Sequence, residues 1–375
     1  MKYALLIGIN YWGTPLQLTA CHRDVYNVAN LLRNFFGFQE IVELTENEPS
    51  NKEMLPTKDN ILRHLSLVLK KMKTGDELFV YYSGHGYYIE NPFSEEKDKR
   101  DELLCPLDCD NHPSGFGYIV DDTLLHMFQN TPASNLNICF IIDACHSGSI
   151  CDLPFCYDGL TIQEEITSKN EHMRNNVLNI SSCRDHEVSY ENQIINQGIF
   201  TGTFVRYLVG LLNNQAIQTR GQKLLKHISS ECISKCKTIE SIEAIQMPVL
   251  VDYRTLMTGG TLAGSKSIES VATELTTKEI KPVAVETKAM GWRIQSNVDT
   301  LKQDIQAMIK KEKEFAEISI YKFHKDIAAN INRAMYPQNL LVSFSHLREP
   351  TEPLLRLKMG LDGTTMKPMF QFIYK

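Results

Sequence analysis

The sequence predicts an α/β protein: a mostly parallel, six-stranded sheet covered by helices on both faces, followed by a small α+β unit. Three observations predict this. Short, continuously apolar runs recur through the first 255 residues, helical patterns lie between them, and the texture changes after about residue 258.

The runs come first. "YALLIGI" (3–9), "EIVELT" (40–45), "ELFVYYSG" (77–84), "NICFIID" (137–143) and "VLNISSC" (177–183) are apolar without alternation. That suits parallel strands buried on both faces. "MPVLVDY", ending at 253, reads as the sixth. Between them, residues 23–36 place Val25, Val28, Ala29, Leu32 and Phe36 on one helical face, and residues 58–72 do so with Ile61, Leu65 and Leu69. The second helix is expected to open on Asp59 or Asn60 as its cap. Residues 200–213 read as a third helix. Strand–helix alternation of this kind builds an open α/β sheet. Residues 86–122 and 151–176 interrupt it. They are polar, without clear period, and follow strand ends, where open α/β sheets bind ligands.

The organisation that follows is a main domain over 1–258, a Gly/Ser/Thr/Lys-rich linker over 259–290 and a C-terminal α+β domain over 291–375. In the last, 296–315 and 318–335 have helical spacing, and "NLLVSFSHL", "PLLRLKMGL" and "MFQFIYK" read as strands.

The chain has 375 residues, 43% hydrophobic and 22% charged, with a net charge of −6. That balance gives no electrostatic case for nucleic acid or an anionic membrane surface. No apolar run approaches the ~20 residues of a membrane span. "MKYALLIGIN" mimics a signal peptide but lacks a small-residue cleavage site and reads as a buried strand. The ten cysteines show no C-x-x-C pair, which argues against zinc and for a reducing, cytoplasmic setting.

Two strand ends carry the chemistry. "FIIDACHSGS" sets Cys145 just after one apolar strand, where a helix N-terminus or protonated imidazole would favour its thiolate. "VYYSGHGYY" sets His85 between two glycines after another, 60 residues earlier. That interval accommodates a crossover to a nearby strand, so thiol and imidazole could share one sheet edge. Alone, a "GHG" is more often a turn and a "DAC" more often a buried thiol. Together, His before Cys on two strand ends of one sheet, they specify nucleophilic catalysis.

The pair "YYSGHG" and "DACHSGS" resembles the caspase-fold cysteine peptidases, specifically the type I metacaspases. "LTACHRDVYNVANLL", "DELLCPLD", "GYIVDDTL", "CDLPFCYDG" and "ISSCRDHEVSYE" are similar to further segments of that family. The resemblance covers roughly residues 3–255. It implies a caspase-like three-layer α/β/α sandwich, His85 as general base and acid, Cys145 as nucleophile, and an oxyanion hole from the N–H groups of Gly86 and Cys145. It implies cleavage after Arg or Lys through an acidic S1 pocket of Cys21, Asp24, Ser83 and Asp143. Alternation along the strands agrees, because Asp143 precedes Cys145 by two residues and Ser83 precedes His85 by two. The resemblance also implies a calcium site at Asp101, Asp121, Asp122 and Asp152, hard oxygen ligands of the kind Ca²⁺ takes. No organic cofactor is implied. Lys169 and Arg174, in the loop after the nucleophile, are acceptable self-cleavage points. The expected partners are peptide or protein substrates with basic P1 residues, and the expected state is a monomer.

Departures from the family pattern are Tyr87 and Tyr88 after "GHG", and Ala20 before the first-helix cysteine. Neither removes a catalytic group. The competing readings are a caspase-fold peptidase of other P1 specificity, such as a legumain-like or gingipain-like enzyme, and an inactive scaffold that acts by binding protein. The presence of both His85 and Cys145 argues against the scaffold.

Overall fold

A computed structural model describes residues 1–47, 50–217, 219, 316–331, 335–362 and 365–374 of the protein. The expected apolar runs become strands: β1 (Lys2–Gly8), β2 (Glu40–Leu44), β3 (Glu77–Ser83), β7 (Asn137–Asp143) and β10 (Asn176–Ser181). Between β3 and β7 lie β4 (Gly86–Glu90), β5 (Arg100–Leu104) and β6 (Ile119–Val120); between β7 and β10 lie β8 (Phe155–Tyr157) and β9 (Ile162–Glu164). A short hairpin of β11 (Glu191–Asn192) and β12 (Gln197–Gly198) follows. Near the C-terminus come β13 (Ala316–Ser319), β14 (Leu341–Phe344), β15 (Pro353–Asp362) and β16 (Thr365–Phe372). The helices are α1 (Cys21–Leu31), α2 (Lys58–Lys71), α3 (Asp121–Gln129), α4 (Ile199–Asn213) and α5 (Ile320–Asn330).

The central sheet runs β2-β1-β3-β7-β10-β14-β8-β9. The first five strands are parallel and the last three antiparallel. Each parallel strand feeds two hydrophobic clusters by strict alternation. Ala4 and Leu6 face one side with Val28 of α1, Phe204 of α4 and Phe323 of α5. Leu5 and Ile7 face the other with Ile61 and Leu65 of α2 and Phe128 of α3. This is the expected three-layer α/β/α sandwich with a predominantly parallel centre, but the sheet has eight strands rather than six, because β8 and β9 extend it beyond β14. Cys139, fully buried between helix layer and sheet, acts as a small apolar residue.

Several expectations change. α2 is capped by Thr57, whose side chain accepts from the Asn60 N–H, and not by Asp59 or Asn60. The two segments read as structureless contain short strands, because local cross-strand pairing satisfies a backbone that has no hydrophobic period. Residues 86–122 fold into the antiparallel sheet β4-β5-β6 and the start of α3, and 151–176 supplies β8 and β9 to the main sheet. The expected sixth strand near 253 and the linker over 259–290 lie outside the described residues.

The boundary drawn at 291 does not separate the C-terminal part. β14 pairs with β10 over Leu178↔Phe344 to Ser181↔Leu341, so it fills the sixth position of the main sheet. The sheet β13-β15-β16 also packs against the main core: Phe36 lies 5.3 Å from both Phe370 and Phe372, ring centre to ring centre, and Phe79 lies 6.2 Å from Phe372. Aromatic pairs of this kind contribute about 0.5–1.5 kcal/mol each beyond area burial. Sequence periodicity shows that these strands exist but not which sheet they join.

Candidate active site

β3 and β7 are neighbours, in register from Glu77↔Asn137 to Ser83↔Asp143. Two residues beyond each strand end come His85 and Cys145. The register therefore puts imidazole and thiol on adjacent exits of one sheet edge. Gly86 makes that approach possible: a Cβ there would sit 2.0 Å from the Cys145 carbonyl oxygen. No other residue fits.

The His85 ring and backbone are both held by hydrogen bonds. Its Nε2–H donates to the Leu16 carbonyl at 2.8 Å, and its backbone N–H donates to the Tyr11 hydroxyl at 3.0 Å. A carbonyl only accepts, so Nε2 carries the proton and Nδ1 is left as proton acceptor. The thiol and imidazole are not hydrogen-bonded to each other. The Cys145 sulfur instead accepts from the Ser189 N–H at 3.4 Å and lies 3.8 Å from the Ser189 carbonyl.

The expectation of a favoured thiolate is corrected. Cys145 is half-buried. Its pKa is raised and not lowered: burial pushes it up and the Asp143 charge adds to that, while the Ser189 N–H works against them. No helix begins at the thiol. His146, next in the chain, has φ of 51° and donates from Nδ1 to the Asp185 carbonyl at 2.5 Å. Tyr88 meets its ring edge-on at 5.1 Å and stacks with Tyr87, so the tyrosines after "GHG" brace the turn that follows Cys145.

Cys21, Asp24, Ser83 and Asp143 are all buried. Asp24 and Asp143 converge on Gly198, where a Cβ would come within 2.8 Å of Asp24 Oδ2 and 2.4 Å of Asp143 Oδ2. Asp143 accepts from Ser189 Oγ at 2.5 Å and from the Thr201 N–H and hydroxyl at 3.1 and 2.7 Å. Asp24 accepts from the Gly198 N–H at 2.9 Å, and its Oδ1 has no partner. Burial raises both carboxyls, and for Asp24 the neighbouring Asp143 charge raises it further. Glu191 approaches the same corner, accepting from the Thr19 and Ala20 N–H groups at 3.0 Å each.

The four expected calcium ligands do not all converge. Asp121, Asp122 and Asp152 place one oxygen each within 4.8 Å of the others. Asp101 is held apart by Asn91, whose Nδ2 lies 3.0 Å from both of its oxygens. Asp152 is 8% exposed, yet neither of its oxygens has a hydrogen-bond partner. Its φ of 45° is left-handed, a strain that surrounding structure must hold in place. Such a carboxylate is costly unless a cation meets it, so the residues fit a hard divalent ion. The nearby positive charge is Lys169, whose Nζ lies 2.6 and 2.7 Å from the two oxygens of Asp122. Burial pulls the Lys169 pKa down, but the Asp122 carboxylate outweighs it and the net shift is upward. Arg174, the other basic residue of this loop, has an exposed side chain.

Sequence reasoning missed Glu96 and Glu102, which group with Asp121. Burial lifts Glu96 to about 8, Glu102 to about 9 and Asp121 to about 7, with neighbouring acids adding to each. "DELL" held the signal, because an acid inside an apolar strand is rarely solvated. It also missed Ser189, Gly198 and Thr201, which nothing in a lone sequence ties to a site.

Residues 2–154, which contain both strand ends, match the family described as metacaspase, peptidase C14 domain. The chain is 38% identical over 166 residues to Metacaspase-1 of Eremothecium gossypii, and the match covers 44% of this chain and 36% of that protein. Metacaspase-1 of Ajellomyces capsulatus is likewise 38% identical over 166 residues, with 45% of its length covered, and Metacaspase-1A of Aspergillus oryzae is 38% identical over 165 residues, with 38% covered. The chain thus spans less than half the length of these curated relatives. No helix of the described residues is long and apolar enough to cross a membrane. Over residues 2–154 the chain is similar to the metacaspases, a family of cysteine-type peptidases.

Proposed function

We propose that the protein is a cysteine endopeptidase that cleaves after Arg or Lys and is stimulated by calcium. The observation that carries the chemistry is the register Ser83↔Asp143, which sets His85 and Cys145 on neighbouring strand exits. With Nε2 committed to Leu16, Nδ1 would take the thiol proton as sulfur attacks the scissile carbonyl carbon. The N–H groups of Gly86 and Cys145, brought together by the glycine contact, would hold the developing oxyanion. The imidazolium would then protonate the leaving amine, and water would hydrolyse the acyl-enzyme.

Buried Asp24 and Asp143 support a basic P1 residue. Two carboxylates facing one hole attract a cation and repel an acidic P1. Ser189 now occupies the side of Asp143 nearest the thiol, so a substrate must displace it. Asp121, Asp122 and Asp152 would hold the calcium ion, which would supply positive charge to an acidic cluster and order the loop that follows the nucleophile. Asp101 would have to leave Asn91 to join them. Self-cleavage at Lys169 or Arg174 would sever that loop. The protein would act on peptides as a cytoplasmic monomer.

The test is cleavage of peptides that differ only in P1, with calcium or chelator, by wild type and Cys145→Ala. Turnover by Cys145→Ala would remove the mechanism, efficient cleavage after Asp would remove the specificity, and equal rates in chelator would remove the calcium dependence.

A further inference from the structure

We propose that Asp98, Glu102 and Asp185 form a second divalent-cation site, separate from the group of Asp121, Asp122 and Asp152. One oxygen from each of the three lies within 4.8 Å of the other two. Oxygens bound to one Ca²⁺ ion at about 2.4 Å are at most about 4.8 Å apart. The two groups share no residue, and Glu102 and Asp121 meet in a third group with Glu96.

The second observation is Glu102 itself. It is 0% exposed; its Oε2 accepts from Ser149 Oγ at 2.7 Å, and its Oε1 is buried without a partner. An all-carboxylate set is what a hard oxygen-seeking ion takes. Nearby side-chain cations are engaged elsewhere. Arg184 is directed at Asp158 at 3.9 Å, Lys97 at Glu165 at 3.6 Å, Lys99 at the Ser94 carbonyl at 2.5 Å, and Lys169 at Asp122. Asp98 and Asp185 of this group and Asp152 of the other line one cavity of about 400 Å³, which leaves room for an ion and its waters.

The site reaches the nucleophile turn. Asp185 Oδ1 accepts from the Ser149 N–H at 2.7 Å, Glu102 accepts from the Ser149 hydroxyl, and the Asp185 carbonyl accepts from His146. An ion here would therefore fix β5, the 94–99 loop and residues 146–149 to one another. The binding claim does not depend on the peptidase reading.

The test is equilibrium dialysis of the full chain against radioactive Ca²⁺ at saturation, with Mg²⁺ as competitor, in a Cys145→Ala background that keeps the chain intact. The parent is expected to bind two ions, Asp98→Asn and Asp185→Asn one each, and Asp152→Asn one. Asp98 is exposed, so its substitution leaves folding untouched even if Asp185→Asn is unstable. Retention of the parent's count in a folded Asp98→Asn or Asp185→Asn overturns the site, as does complete loss of binding in Asp152→Asn. A parent that binds one ion, lost in Asp98→Asn and kept in Asp152→Asn, upholds this site and rejects the family-implied one.

Discussion

Lys169 and Asp122 form a two-pronged ion pair, with Nζ 2.6 and 2.7 Å from the two carboxylate oxygens. The pair joins a basic residue offered as a self-cleavage point to an acid offered as a calcium ligand. One ammonium thus stands where the positive charge of an ion would act, and the two would compete for the same oxygens.

The first prediction follows from that competition. Lys169→Gln should bind calcium more tightly. The two side chains are 36% and 39% exposed, so solvent screens the pair and the surface range of about 0.2–1 kcal/mol applies. The expected gain is therefore about 1.4- to 5-fold. Calorimetric titration of calcium into Cys145→Ala, with and without Lys169→Gln, measures it. Unchanged affinity would show that the lysine does not oppose the ion.

The second concerns the thiol. Burial and the Asp143 charge raise the Cys145 pKa, so the resting protein holds a neutral thiol at pH 7. Thiolate appears only as pH rises past the ordinary value of about 8.5. Iodoacetamide labelling of the Cys145 peptide, followed by mass analysis from pH 6 to 10, should have its midpoint on the alkaline side of that value. A midpoint below 7.5 would mean that His85 already holds the proton, contrary to the geometry of the resting site.

Much of this was readable before any coordinates. The parallel core was, because strands buried on both faces leave continuous apolar runs. So was the His85–Cys145 pair, because strand ends and flanking glycines are local signals. Asp24 and Asp143 came from the resemblance, and alternation by two agreed for Asp143. The rest depends on contacts between distant segments. Ser189 reaches Cys145 across 44 residues, and β14 joins β10 across more than 150. Burial was equally hidden: the same "DAC" would carry a low thiol pKa beside a helix N-terminus and carries a high one here. Asp101 seemed equivalent to Asp121 in sequence, and only the Asn91 contact separates them.

The third prediction addresses specificity. Asp24 is the cleaner probe, since Asp143 receives three donors and its replacement would also disturb Thr201. Asp24→Asn keeps an acceptor for Gly198 and removes the charge. Loss of a charge-assisted contact is worth ~1.5–3 kcal/mol, so kcat/KM for Arg and Lys substrates should fall about 10- to 150-fold. Because the Asp24 carboxyl is raised, wild-type KM for an Arg peptide should also fall as pH rises and the carboxylate forms. A variant with unchanged kcat/KM would place the P1 contact elsewhere.

The last prediction assigns work to the C-terminal part of the chain. Gln338 is fully buried, accepts from the Tyr190 N–H at 3.2 Å and donates to the Ser182 carbonyl at 3.3 Å. Asn339 beside it donates to Glu187 from its N–H at 2.8 Å, and the Tyr336 ring lies 5.6 Å from that of Tyr190. Residues 336–339 therefore grip both ends of the segment that lays Ser189 over Cys145 and Asp143. Gln338→Ala would leave a buried N–H and carbonyl unpaired, at about 1–3 kcal/mol of stability. Thermal unfolding should register that cost. The functional consequence is separate: with Ser189 less firmly held, Cys145 should be alkylated faster at fixed pH, while the pH midpoint shifts toward the ordinary thiol value as desolvation relaxes. Gln338→Glu keeps the acceptor for Tyr190 but, when ionised, cannot donate to Ser182, so it should restore only part of the protection. Loss of stability with no change in Cys145 labelling would reduce the C-terminal clamp to a packing element.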